Sequence, residues 1–146
     1  MIDHLSEGDL AVYLRAVRIF AMLAERSAES VGLTLAQMRL LFTVFDLGAA
    51  SCSAVAAKLH VSVSSVTRLV ARPAMVPLVS RSVSPANASA VDLELTAQGA
   101  ATVRRVTAAR ERVLRAALDR TDAATGSATA LGLTHIIDRI ADEVRI

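Results

Sequence analysis

Apolar positions recur with two different periods along this chain. Between residues 7 and 31, Leu10, Tyr13, Leu14, Val17, Phe20, Ala21 and Ala24 follow one another at helical spacing, with Arg15, Arg18, Glu25 and Arg26 off that stripe. The pattern predicts a long amphipathic helix. Gly32 punctuates it, and Thr34 caps a second helix whose apolar positions are Leu35, Met38, Leu41, Phe42 and Phe45, ending near Gly48. Ser51 opens a third, short helix with Val55, Ala56 and Leu59 inward; His60-Val61 is a turn; Ser62 is an N-cap for a fourth helix over 63–72. From Pro73 the period changes to two. Leu78–Ser82 and Val91–Leu95 are strand candidates joined by a Pro/Asn/Ser/Ala loop, so they read as one hairpin. Thr96 caps a long helix to about residue 120, and after a break at Thr121–Asp122 a last helix carries Leu133, Ile136, Ile137, Ile140 and Val144 on one stripe.

Composition narrows the class. The chain's 146 residues make one ordinary domain with room for a core. Its hydrophobic fraction of 53% includes 28 alanines, and only 3% of residues are aromatic. That favours close-packed helices over a β-sandwich. No run approaches the roughly 20 apolar residues of a membrane-spanning helix. Met1-Ile2-Asp3-His4 has neither the basic nor the apolar region of a secretory signal, so a cytoplasmic location without membrane contact is expected. Cys52 alone cannot form an internal disulfide, and with His4, His60 and His135 far apart no metal or other cofactor is expected.

Charge becomes informative by position. Although the net charge is only +2, no acid occurs between Asp46 and Asp92, whereas Lys58, Arg68, Arg72 and Arg81 do; the interval is cationic and the remainder slightly anionic. Such a segment suits a phosphate-facing surface. It coincides with two short helices, a tight turn and a hairpin, the order of a winged helix-turn-helix. On the fourth helix Val63, Val66 and Val70 share one side, flanked by Leu69, while Ser64, Ser65, Arg68 and Arg72 share the other. Small hydroxyls fit that face to the major groove, where Arg reaches guanine edges or phosphates. Ser64, Ser65, Arg68 and Arg72 are therefore candidates to face DNA, with Thr67 on the same helix; Ser62 and Lys58 are candidates for phosphate, and Arg81 for anchoring the wing base. The alternative is a solvated face on a core helix.

The sequence resembles the MarR family of transcriptional regulators. The likeness lies in Leu35-Ala36-Gln37-Met38-Arg39-Leu40-Leu41, the run from Val55 to Val70, Leu78-Val79-Ser80-Arg81, and Leu93-Glu94-Leu95-Thr96-Ala97-Gln98-Gly99. It implies a mainly α fold with a small β-hairpin wing, in which a winged helix-turn-helix over 34–96 sits between dimerisation helices at 7–31 and 97–146. It also implies a homodimer whose terminal helices interlock, two recognition helices in successive major grooves of a pseudo-palindromic double-stranded site, a repressor role, and a small aromatic or anionic effector. Leu10, Leu14, Leu133, Ile136, Ile137, Ile140 and Val144 are the dimerisation candidates, the last helix being too apolar to leave in water. Three departures stand out. Pro73 and Pro77 follow the recognition helix, and Pro73 should end that helix early or kink it. His60 takes the place of the turn's usual glycine, which His tolerates at a left-handed position. Ser84–Ser89 has no arginine where the family's wing carries one.

The departures motivate a second reading, a MarR-like dimer with weak or lost DNA binding that serves as a ligand-binding or protein-interaction module. Tyr13, Phe20, Met38, Phe42 and Phe45 are candidates for an aromatic ligand pocket, though their spacing also suits core packing. Cys52 in a first helical turn is a candidate redox thiolate or an inert half-buried side chain. Asn87-Ala88-Ser89 matches a glycosylation sequon that a cytoplasmic protein never uses, and Asp138, Asp142 and Glu143 form a solvated helix face. No paired carboxylates, nucleophile and base, or glycine-rich phosphate loop is present, so no enzyme is expected.

Overall fold

The structure, a computed structural model, describes residues 6–144 apart from Ala86, so Met1–His4 lies outside the described residues. Among the described residues six helices and three strands follow in the order α1 (Glu7–Glu29), α2 (Leu35–Leu47), β1 (Ala50–Ser51), α3 (Cys52–Leu59), α4 (Val63–Val70), β2 (Val79–Ser84), β3 (Asn87–Leu95), α5 (Ala97–Leu118) and α6 (Ala123–Val144). Hydroxyl-bearing residues start five of the six helices by accepting a first-turn N–H: Ser6 for α1, Thr34 for α2, Ser51 for α3, Ser62 for α4 and Thr96 for α5. Ser6 with Asp9 and Thr34 with Gln37 form reciprocal capping boxes. The mainly helical fold with a small β wing is as the sequence predicts.

The wing is longer than its sequence signal and has a third strand. β2 and β3 pair antiparallel from Val79↔Leu95 to Ser84↔Asn87, with an irregularity between Val83 and Ser84. β1 pairs with β3 through Ala50↔Leu93 and Ser51↔Asp92, giving the order β1-β3-β2. Two residues hold no period to read. Their pairing comes from α2 and α3 delivering them to the outer edge of β3.

The core lies where α2, α3, α4 and the sheet meet the first half of α5. Met38, Leu40, Leu41, Val44, Val55, Val66, Met75, Leu93, Val103 and Val106 are its largest fully buried side chains. At the far side, α5 stacks on α1 and α2 through Arg110. Its Nε donates to Ser27 Oγ at 2.8 Å, and its guanidinium lies 4.8 Å from the centre of the Phe42 ring. Burial lowers the Arg110 pKa from the ordinary guanidinium value, yet an arginine keeps its proton.

Beyond Arg110 every side chain from Glu111 to Thr125 is exposed. α6 runs beside the start of α1, with Val12 and Tyr13 across a groove from Leu133 and Ile136. Leu10 (53%), Leu14 (55%), Ile137 (54%) and Ile140 (50%) are exposed, and Leu133 and Ile136 are half-buried. The side chain of Val144 lies outside the described residues.

Candidate nucleic-acid interface

α3, its turn and α4 are fixed by local chemistry. His60 ends α3 at φ 54°, the left-handed region, and is the only described non-glycine residue there. That conformation lets the Val61 N–H donate to Ala56 O at 3.0 Å and turns the chain into α4. Ser62 Oγ accepts from the Ser65 N–H at 3.2 Å and shares protons with Ser64 Oγ at 3.0 Å and Ser65 Oγ at 2.8 Å. Three hydroxyls thus surround the positive end of α4.

Val66 and Val70 anchor α4 in the core, while Ser64 and Arg68 are exposed on its other side and Arg72, expected within the helix, is exposed two residues past its end. Arg68 Nε donates to Ser64 O at 3.4 Å, which lays the guanidinium along the helix surface. Two other sequence assignments need adjustment. Val63, expected inward, is 45% exposed, because the first turn of α4 reaches past the core toward the wing. Ser65 and Thr67 are half-buried rather than outward, and Thr67 Oγ1 donates to Val63 O at 3.1 Å.

α4 stops at Val70, before Pro73, as the proline requires. The connection to β2 is a series of turns in which Met75 N donates to Arg72 O at 2.8 Å and Leu78 N to Met75 O at 2.9 Å. Met75 is fully buried beneath it. Pro77 has a constructive part, since its carbonyl accepts the Thr96 hydroxyl at 2.7 Å. Neither proline distorts α4.

Two depressions flank α4. One, of about 320 Å³, is floored by Leu59, Val61 and Leu69 and rimmed by Arg39, Arg68 and Arg72. Arg39 of α2 is a cation that sequence reasoning missed; its signal was a polar position on the side of α2 away from Met38 and Leu41. The other, of about 340 Å³, is a notch between α4 and the wing, lined by Ser51, Cys52, Ser53, Thr67, Arg81 and Asn87 among others. Lys58 is exposed on α3 and Arg81 on β2. Among the described residues the ion pair is Arg115 with Glu111, far along α5, so the cations around α4 have no carboxylate partner. Burial pushes the Cys52 thiol above its ordinary pKa, with the Arg81 cation opposing, which favours the inert reading of that cysteine.

The five aromatic-pocket candidates do not line one pocket. Met38 is fully buried in the core, Phe42 borders a cleft of about 510 Å³ with Arg110, Leu114 and Leu118, Tyr13 lines the α1–α6 groove, and Phe20 and Phe45 are exposed. Helical spacing placed each on an apolar stripe, but the stripes face different neighbours. Among the described residues no His, Cys, Asp and Glu cluster could hold a metal, and no helix is long and apolar enough to cross a membrane.

An exposed polar helix face, a tight left-handed turn before it and a strand pair beside it define a winged helix-turn-helix. Residues 33–90 match the MarR family model. No curated protein matches the chain. Among solved structures, the chain is similar to RV1404 from Mycobacterium tuberculosis, with 22% identity, a TM-score of 0.84, and 94% of this chain and 96% of that one covered. It is similar to Streptococcus pneumoniae FabT in complex with DNA (17% identity, TM-score 0.77, 94% and 99% covered). A MepR mutant from S. aureus bound to an oligodeoxyribonucleotide is a further match (14% identity, TM-score 0.70, 94% and 99% covered). The fold is that of MarR-family transcription regulators.

Proposed function

We propose that the protein is a cytoplasmic, non-enzymatic transcriptional repressor of MarR type that binds a pseudo-palindromic double-stranded DNA site as a homodimer. The observation that carries this reading is the outer face of α4, where Ser64 and Arg68, with Arg72 just past the helix end, are exposed beside Arg39, Lys58 and Arg81, with no described carboxylate partner. FabT and MepR, which share the fold, were solved with DNA. In the proposed complex α4 enters the major groove, Arg68 and Arg72 face base edges or phosphates, Ser62, Ser64 and Ser65 meet phosphates at the helix start, and Lys58 and Arg81 hold the flanking backbone. Thr67 lies deeper, toward the wing. The DNA-free reading is disfavoured by the free face of α4 and by prolines that leave the helix undistorted.

The homodimer is supported by the apolar faces of α1 and α6, which water does not tolerate over so long a stretch. A small aromatic anion as effector suits the cleft where Arg110 lies on Phe42, pairing a cation with an aromatic wall. The test is titration of a labelled duplex from the region upstream of the protein's own coding sequence. Binding should weaken steeply with salt, and Arg68→Ala should cost about 1–3 kcal/mol, roughly five- to 150-fold. Binding indifferent to both overturns the reading.

A further inference from the structure

We propose that this protein specifies its DNA site through the major groove alone, its wing crossing the neighbouring backbone without reading the minor groove. The inference rests on the DNA-binding reading above and sharpens it. The wing residues Arg81 and Asn87 and the α4 residue Thr67 line opposite walls of one notch, so the wing stands directly beside the helix that enters the major groove. An element so placed lies over the sugar–phosphate backbone toward the adjacent minor groove.

What the wing brings there is decided by its side chains. The ten residues between Arg81 and Asp92 include no charged side chain. A narrow A·T minor groove concentrates negative potential and so draws arginine and lysine, neither of which this stretch of the wing offers. Arg81 does not supply the missing charge. It sits opposite Leu93 with three residues still to run before the end of β2 at Ser84, about 10 Å of strand. The carboxamide oxygen of Asn87 accepts the Ser89 N–H at 3.0 Å and holds the turn. At the wing base the Ser80 hydroxyl also turns back to the sheet, donating to Glu94 O at 3.1 Å. All discrimination then falls to Arg68 and Arg72, and the flanks of each half-site are crossed without regard to sequence.

The experiment begins with duplexes that the full chain selects from a randomised pool. Two blocks of sequence information about one helical turn apart are expected, with no A·T enrichment in the flanks next to each block. Replacing flank adenines of the selected duplex by 2,6-diaminopurine adds an amino group to the minor-groove floor and leaves the major-groove edge intact. The Kd should change less than twofold. Inosine·cytosine in place of A·T within the blocks keeps the minor-groove edge and alters the major-groove one; here binding should weaken more than tenfold. A tenfold loss from diaminopurine in the flanks, or flank A·T enrichment in the selection, overturns the proposal. Ala88→Arg supplies the missing wing cation at an exposed position and should steepen the salt slope by about 0.9 per protomer while creating sensitivity to flank diaminopurine. A variant with neither change places the wing away from the DNA and also overturns it. Failure of the unmodified pool to yield any retained sequence is a different result, since it overturns DNA binding itself.

Discussion

Gly99 is the least replaceable residue at the join between wing and helix. A Cβ there would come within 2.0 Å of the Leu78 carbonyl oxygen, a backbone atom that cannot swing aside. Three residues earlier, at α5's cap, the Thr96 N–H donates to the same Leu78 O at 3.0 Å while its hydroxyl donates to Pro77 O and accepts the Gly99 N–H at 3.0 Å. Gly99→Ala should therefore cost about 1–3 kcal/mol as an overpacking change. In thermal unfolding this would appear as a loss of several degrees. An unchanged Tm would overturn the overpacking argument. Cys52 makes a second, chemical prediction. With its thiol buried and its pKa pushed up, it should react with a disulfide reagent far more slowly in the native protein than in urea; equal rates would reinstate the reactive thiolate.

At the scale of elements, the helix-turn-helix depends on one left-handed residue. His60→Gly should keep the turn and gain up to about 1 kcal/mol, while His60→Val should lose about 1–2 kcal/mol, because a branched Cβ is least tolerated at positive φ. Urea denaturation of the two variants compares them, and equal stabilities would remove the strain argument. The starts of α1 and α6 carry a pH signature. Hydrogen bonds from Ser6 hold the Asp9 carboxyl below the usual carboxylate range, and those from Thr125 do the same for Asp122. A depressed folded pKa contributes stability above the ordinary value near 3.9, lost as pH falls through the lower folded values. Amide exchange in the first turns of α1 and α6 should accelerate over that acid window and stay flat near neutrality.

The same elements show what a sequence discloses. Thr34, Ser51, Ser62 and Thr96 were legible as caps because a hydroxyl before an apolar run has few other uses, and Pro73 announced the end of α4. β1 was not legible, since two residues gain their identity only from β3, more than forty positions away. The cationic face could be read in outline, but Arg39 joined it from another helix. The aromatic stripes gave periodicity without direction, so which neighbour each ring met stayed hidden.

For the whole molecule, the exposed apolar faces of α1 and α6 set the expected assembly. Sedimentation should show a dimer, and Leu14→Glu combined with Ile137→Glu should yield monomer that still shows the wing's β signal. A monomer in the unaltered protein would contradict the dimer. If four cations per protomer meet phosphates, the dimer's logarithmic salt slope should be about −7, and Arg81→Ala should make it shallower by about 2.

The seam at Leu78, Thr96 and Gly99 also decides how the molecule can bend. With no space for a methyl group between strand and helix, the wing base and the first turn of α5 turn as one lever, its short arm in the hairpin and its long arm running out to Leu118. Length changes in such a lever are absorbed only at its free ends. Residues added at the hairpin's loop would lengthen the short arm alone, whereas one residue added between Thr96 and Gly99 would rotate the whole long arm by about 100° about its axis.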